Sequence, residues 1–219
     1  MNSNSLKLPL QNLIRSSSTQ EKMPSIFLLH GFGSNMQDLY GLESIFPKDW
    51  AIISLQASIP VQYQGWAWAE LNFENLSKLP KPEQMEKHQT KVFESVNMTI
   101  KLLKLDPHKV NLLGFSQGAS LSIFSGLINP EFYNTITSLC GFIPIDRVKE
   151  KIKGIDLSMV KLFMGNGTED PIVPINLADK TYKDLKILNI EPVYKKYDSE
   201  HTISNECMYD VMSFLKTNN

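Results

Sequence analysis

Several marks of a functional class are missing from this 219-residue chain. It has only two cysteines, Cys140 and Cys207, far apart and outside any CxxC or Cys/His cluster. That spacing argues against a metal site, and two free thiols suit a reducing compartment. Neither charge is in excess: 22 Lys and Arg against 23 Asp and Glu give a net charge of −1. With no long run of one sign, the chain lacks the electrostatic footprint for DNA, RNA or anionic lipid. No apolar run approaches the ~20 residues of a membrane span. The opening Met1-Asn-Ser-Asn-Ser-Leu-Lys7 has no basic start leading into an apolar block, so it does not read as a signal peptide. The phosphate-cradle patterns G-x-x-x-x-G-K-[ST] and G-x-G-x-x-G are absent, as are repeats and low-complexity tracts. The expectation is a cytoplasmic protein acting on a small molecule, with no nucleic-acid partner and no integral membrane segment. A homodimer is left open.

What is present is an ordinary globular composition, 42% hydrophobic and 21% charged, of a length that suits one domain over residues 1–219. Short continuous apolar runs recur: Ser25 to His30, Ala51 to Leu55, Val110 to Leu113, Ile136 to Cys140 and Val160 to Met164. Most stop at a glycine, and such runs suit parallel strands buried on both faces. Residues 6–15 and 192–197 read as edge strands. Between the runs lie helical patterns. Val92, Val96, Ile100 and Leu103 share one helix face, as do Leu177, Thr181, Leu185 and Leu188, and again Met208, Val211, Met212 and Leu215. Residues 117–128 are apolar almost all round. Strands alternating with helices predict an α/β fold with a mostly parallel central sheet and helices on both faces. Gln56 to Pro82 is the one long irregular stretch, and a loop of that length in a compact domain is usually functional or partly structured.

Gly114-Phe-Ser-Gln-Gly118 fits G-x-S-x-G, in which a serine projects from a sharp strand-to-helix turn flanked by small residues. Five residues alone are a weak signal. The apolar run ahead of them and the helical pattern behind supply the context that the turn requires, which makes Ser116 the candidate nucleophile. In such a fold the acid and then the base follow the serine along the chain. Of four histidines only His201 lies downstream of Ser116, so it is the candidate general base. The acid must lie between the two. Asp170, after the run 160–164, falls at the same sheet edge as Ser116, with Glu169 and Asp198 as alternatives; Asp179 and Asp184 lie on a predicted helix, and Asp146 and Asp156 flank a Lys-rich segment. The candidate oxyanion donors are the backbone N–H groups of Gln117, next to the nucleophile, and of Phe32, in the turn His30-Gly-Phe-Gly-Ser34.

This constellation resembles the phospholipase/carboxylesterase family of small α/β-hydrolases, which includes the acyl-protein thioesterases. The likeness runs from about Leu8 to the C-terminal helix. His30-Gly-Phe-Gly-Ser-Asn35 with Asp38 resembles the family's oxyanion loop, Gly114 to Ala119 its nucleophile elbow, Gly165 to Asp170 with Val173-Pro174 its acid segment, and His201 with Ile203 its base segment. The resemblance implies an α/β-hydrolase without a large lid domain and a carboxylesterase working through an acyl-enzyme, with no metal or other cofactor. The alternatives are an acyl-thioesterase or lysophospholipase on the same residues, or a non-catalytic binder on the same scaffold. Three positions depart from the family: Asn166 stands where it has His, Glu200 where it has Gly, and Ala69 where it has Phe. Trp66 and Trp68, with Tyr63, are the candidate walls of the substrate site; packing of the loop onto the sheet is the other reading of each Trp.

Overall fold

The computed structural model describes residues 5–16, 21–71 and 82–219, without the side chain of Tyr63. The part of the Gln56–Pro82 stretch that spans 72–81 is therefore outside the described residues, as is the Tyr63 side chain.

Seven strands form one sheet: β1 (Asn12–Arg15), β2 (Ser25–Leu29), β3 (Ala51–Leu55), β6 (Val110–Phe115), β7 (Thr135–Leu139), β8 (Leu162–Gly167) and β9 (Val193–Tyr197). Their spatial order is β1-β3-β2-β6-β7-β8-β9. Only β1, at one edge, runs antiparallel to its neighbour. The central strands are fully buried because they are covered on both sides, which is why they read as continuous apolar runs. Alternate side chains divide between two clusters. Phe27, Ile53 and Leu112 meet α2 (Pro82–Leu103), α3 (Gln117–Ile128), α4 (Ile145–Ile152) and α5 (Ile175–Ile187). Ile26, Ile52 and Leu113 meet α1 (Met36–Tyr40) and α6 (Asn205–Asn218). Helices thus cover both faces, as the alternation predicts. Among the described residues no helix is long and apolar enough to cross a membrane.

Three expectations change. The glycines read as strand ends lie inside strands: β6 runs through Gly114 to Phe115, and β8 through Gly165 to Gly167. Gly114 is required by close approach, since a Cβ there would lie 2.1 Å from the Gly118 carbonyl oxygen. The start of the irregular stretch is a small hairpin, β4 (Ile59–Val61) and β5 (Gly65–Ala67), joined by a 3-10 turn. The Lys-rich segment after Asp146 is a helix, α4, whose Ile145 and Ile152 are buried.

Candidate active site

The parallel strands end at one edge, and Ser116, Asp170 and His201 are each carried by a loop or turn there. Ser116 stands between β6 and α3 with φ 53° and ψ −115°. A non-glycine residue in that region is strained and needs its surroundings to hold it. Here Ser116 N–H donates to Leu139 O at 2.8 Å, and Ser116 O accepts from Ala119 N–H at 3.0 Å. On the far side, a Cβ on Gly118 would come within 2.1 Å of Leu29 O, so only glycine lets α3 start this close to β2. The turn lifts Ser116 Oγ to 2.9 Å from His201 Nε2.

The loop after β9 carries His201, and the loop after β8 carries Asp170. Backbone bonds from Thr168 N–H to Tyr197 O (2.8 Å) and Glu169 N–H to Ser199 O (3.1 Å) stitch the two loops in register. His201 Nδ1 then meets Asp170 Oδ2 at 2.7 Å. Asp170 is buried, and its other oxygen accepts from the backbone N–H of Ile172 and of Val173, each at 2.8 Å. Two amide donors to one oxygen fix the orientation of the side chain and aim Oδ2 at His201. Glu169 and Asp198 are exposed, so of the three acids considered Asp170 is the one at His201. A hydroxyl bonded to an imidazole whose second nitrogen faces a buried carboxylate can lose its proton to the ring as it attacks a carbonyl.

Ser116 and His201 open into a cavity of about 500 Å³. Phe32, Gln117, Phe124, Phe142, Ile143 and Leu177 are among its walls, and Ile172, 67% exposed, stands at the rim. Phe32 and Gln117, the two candidate donor positions, therefore share the cavity with Ser116. Gly31 packs the Phe32 turn against the elbow: a Cβ there would sit 3.4 Å from that of Ser116. Much of the wall comes from Phe142 to Val148, the residues leading into α4 and its first turn, in a segment whose lysines dominate its sequence. The legible signal was the helical spacing of Ile145, Val148 and Ile152.

The two tryptophans are not on this cavity. Trp68 is fully buried, and its indole Nε1–H donates to His30 O at 2.8 Å. Trp66 is half-buried and lines a separate depression with Gln11, Asn35 and Gln56. Trp68 lies beneath the hairpin as packing, because its one polar atom finds a buried carbonyl partner. Ala69 is likewise buried, with its backbone held by the Gln117 side chain. Glu200 is exposed, and its carbonyl oxygen accepts from Thr202 N–H at 2.8 Å. Asn166 is buried in β8 and donates to Gly141 O at 3.1 Å.

Cys140 Sγ, an Asp170 oxygen and a His201 nitrogen all lie within 4.8 Å of one another. As they stand the donors do not fit a tetrahedral zinc ion. Two ligands ~2.1 Å from a tetrahedral zinc would be about 3.4 Å apart, whereas His201 and Asp170 meet at hydrogen-bond distance, 2.7 Å. Burial, reinforced by the Asp170 charge, also pushes the Cys140 thiol up to about 11, and it donates to Thr202 O at 3.3 Å. Two other imidazoles, those of His30 and His88, are buried. Both are held below the ordinary histidine range, chiefly by burial.

The sequence profile described as Phospholipase/Carboxylesterase matches residues 12–219. The chain belongs to that family. Among curated relatives of this phospholipase/carboxylesterase chain is acyl-protein thioesterase 1 of Saccharomyces cerevisiae, 33% identical over 117 residues, 51% of each protein. The chain thus spans about half the length of the curated relatives it matches. Solved structures include a carboxylesterase from Mesorhizobium loti (TM-score 0.86, 19% identity, 99% of both chains) and the esterase PE8 (TM-score 0.84, 24% identity, 96% of this chain and 99% of that one). These likenesses establish the α/β-hydrolase fold.

Proposed function

We propose that this chain is a serine hydrolase that cleaves carboxylic esters through an acyl-enzyme on Ser116. The observation that carries the reading is the Ser116–His201–Asp170 hydrogen-bond chain, 2.9 and 2.7 Å, at the mouth of a largely apolar cavity. Ser116 Oγ attacks the ester carbonyl as His201 Nε2 takes its proton. Asp170 keeps the ring in the tautomer with Nδ1–H and stabilises the imidazolium. The oxyanion receives the backbone N–H groups of Phe32 and Gln117; the latter opens α3, where the first N–H groups have no partner within the helix. His201 returns the proton to the departing alcohol, then activates water against the acyl-enzyme. No step calls on a metal or organic cofactor.

The apolar walls favour an acyl group of some length. Each methylene that enters such a cavity contributes ~0.8 kcal/mol, so kcat/KM should rise by up to about fourfold per carbon until the space is filled. A p-nitrophenyl ester series from acetate upward tests activity and cavity size together. Turnover undiminished in Ser116→Ala would refute the reading. The relative named as a thioesterase favours a second reading, in which the bond cut is a thioester on the same three residues. Competition between matched ester and thioester substrates separates the two.

A further inference from the structure

The side chain of Gln117 has no part in the mechanism above, yet both its polar atoms are engaged by backbone groups. Its Oε1 accepts from the backbone N–H of Trp68 at 2.7 Å and of Ala69 at 3.3 Å. Its Nε2 donates to Ala69 O at 2.7 Å. The elbow is thereby tied to residues 68–69. The same segment is tied to the Phe32 turn from two directions. Trp68 Nε1–H donates to His30 O at 2.8 Å. The hairpin adds Gly33 N–H to Trp66 O at 2.9 Å and Trp66 N–H to Ser34 O at 2.8 Å. His30 is fixed in turn. Its Nε2 accepts from Ala57 N–H at 3.1 Å, which leaves the proton on Nδ1, and that N–H donates to Gly31 O at 2.7 Å.

Residues 66–69 therefore form a splint between the two segments that bear the oxyanion donors. One of these, Gly31 to Ser34, is a glycine-bearing turn with soft backbone torsions. The other begins at a strained serine. Oxyanion stabilisation depends on donors standing about 2.7–3.1 Å from where the charge develops, and a misplacement of about 1 Å costs on the order of a hundredfold in rate.

We propose that the Gln117 carboxamide is a positioning residue that sets the oxyanion-hole geometry by clamping the elbow to the Trp68 splint. This rests on the serine-hydrolase reading. The test is Gln117→Met, which keeps length and bulk and removes all three hydrogen bonds. We expect kcat to fall about tenfold to a hundredfold with KM little changed. A boronic acid, which forms a tetrahedral adduct on the serine, should lose affinity by the same factor. Trp68→Phe cuts the other end of the splint and should give the same signature, and the double variant should be little worse than the poorer single one. Wild-type kcat and boronate affinity in folded Q117M would overturn the proposal. So would a rise in KM at unchanged kcat, which would make Gln117 a substrate contact. If Q117M does not fold, W68F decides: native circular dichroism with wild-type kcat overturns the proposal. Undiminished turnover in S116A would instead sink the underlying serine-hydrolase reading.

Discussion

Replacing Asp170 with Asn should disable His201 by forcing its tautomer. Asp170 Oδ1 accepts from two backbone N–H groups, those of Ile172 and Val173, both at 2.8 Å. In D170N only the carbonyl oxygen can occupy that place, because an NH₂ group there would face two donors. The NH₂ must then take the Oδ2 position, 2.7 Å from His201 Nδ1. An amide in that position donates, so Nδ1 becomes the unprotonated nitrogen and the proton moves to Nε2. Nε2 faces Ser116 Oγ at 2.9 Å and can no longer accept the serine proton. In the chymotrypsin-type proteases the same exchange lowers kcat about 10⁴-fold by this route, or about 5.4 kcal/mol of transition-state stabilisation. With both amide anchors in place to prevent the side chain from flipping, a loss of that order is expected here. Steady-state turnover of p-nitrophenyl butyrate by wild type and D170N measures it, with KM moving far less than kcat. A D170N enzyme within about tenfold of wild type would show that the tautomer is not set by Asp170.

Three further outcomes are expected. A Cβ on Gly167 would lie 2.2 Å from Ser199 O and 2.5 Å from Glu200 O, so Gly167→Ala should push the His201 loop away, costing about 1–3 kcal/mol of stability and most of the activity; a wild-type melting curve and turnover would contradict this. His30 and His88 bind a proton more weakly folded than unfolded, so stability should be full above the unfolded value near 6.5 and fall as pH drops below it. Melting temperature should therefore decline from about pH 7 to pH 5.5, and His88→Gln should flatten the slope; a flat wild-type profile would refute the assignment. Burial holds the Cys140 and Cys207 thiols up to about 11 and about 12, so neither should react with Ellman's reagent at pH 8 until the protein is unfolded, and prompt labelling of the native protein would contradict their environment.

The sheet was legible because strands covered on both faces must be apolar along their length, and Ser25–Leu29 and Ala51–Leu55 are. That Ser116, Asp170 and His201 share an edge was legible because each follows a strand, and in a parallel sheet all such loops lie at the same edge. The tryptophans were not. An indole in a loop looks the same in sequence whether it faces a ligand or a buried carbonyl, and Trp68 faces His30 O. Gly114 and Gly165 misled as strand ends because a glycine that ends a strand and one that admits a close neighbour are the same letter. The helix over Ile145–Ile152 was hidden by its lysines, which lie on its solvent side and say nothing of the face turned to the cavity. The role of the Gln117 side chain was illegible for another reason: its partners are backbone atoms about fifty positions away.

The central claim is that Ser116 is a nucleophile activated by His201, and a fluorophosphonate reports on that directly. Intact-mass and peptide mass spectrometry of the treated native protein should show one adduct, on Ser116, with labelling abolished in Ser116→Ala and strongly slowed in His201→Ala. An unlabelled Ser116 in folded protein, or an adduct on a different residue, would contradict the account.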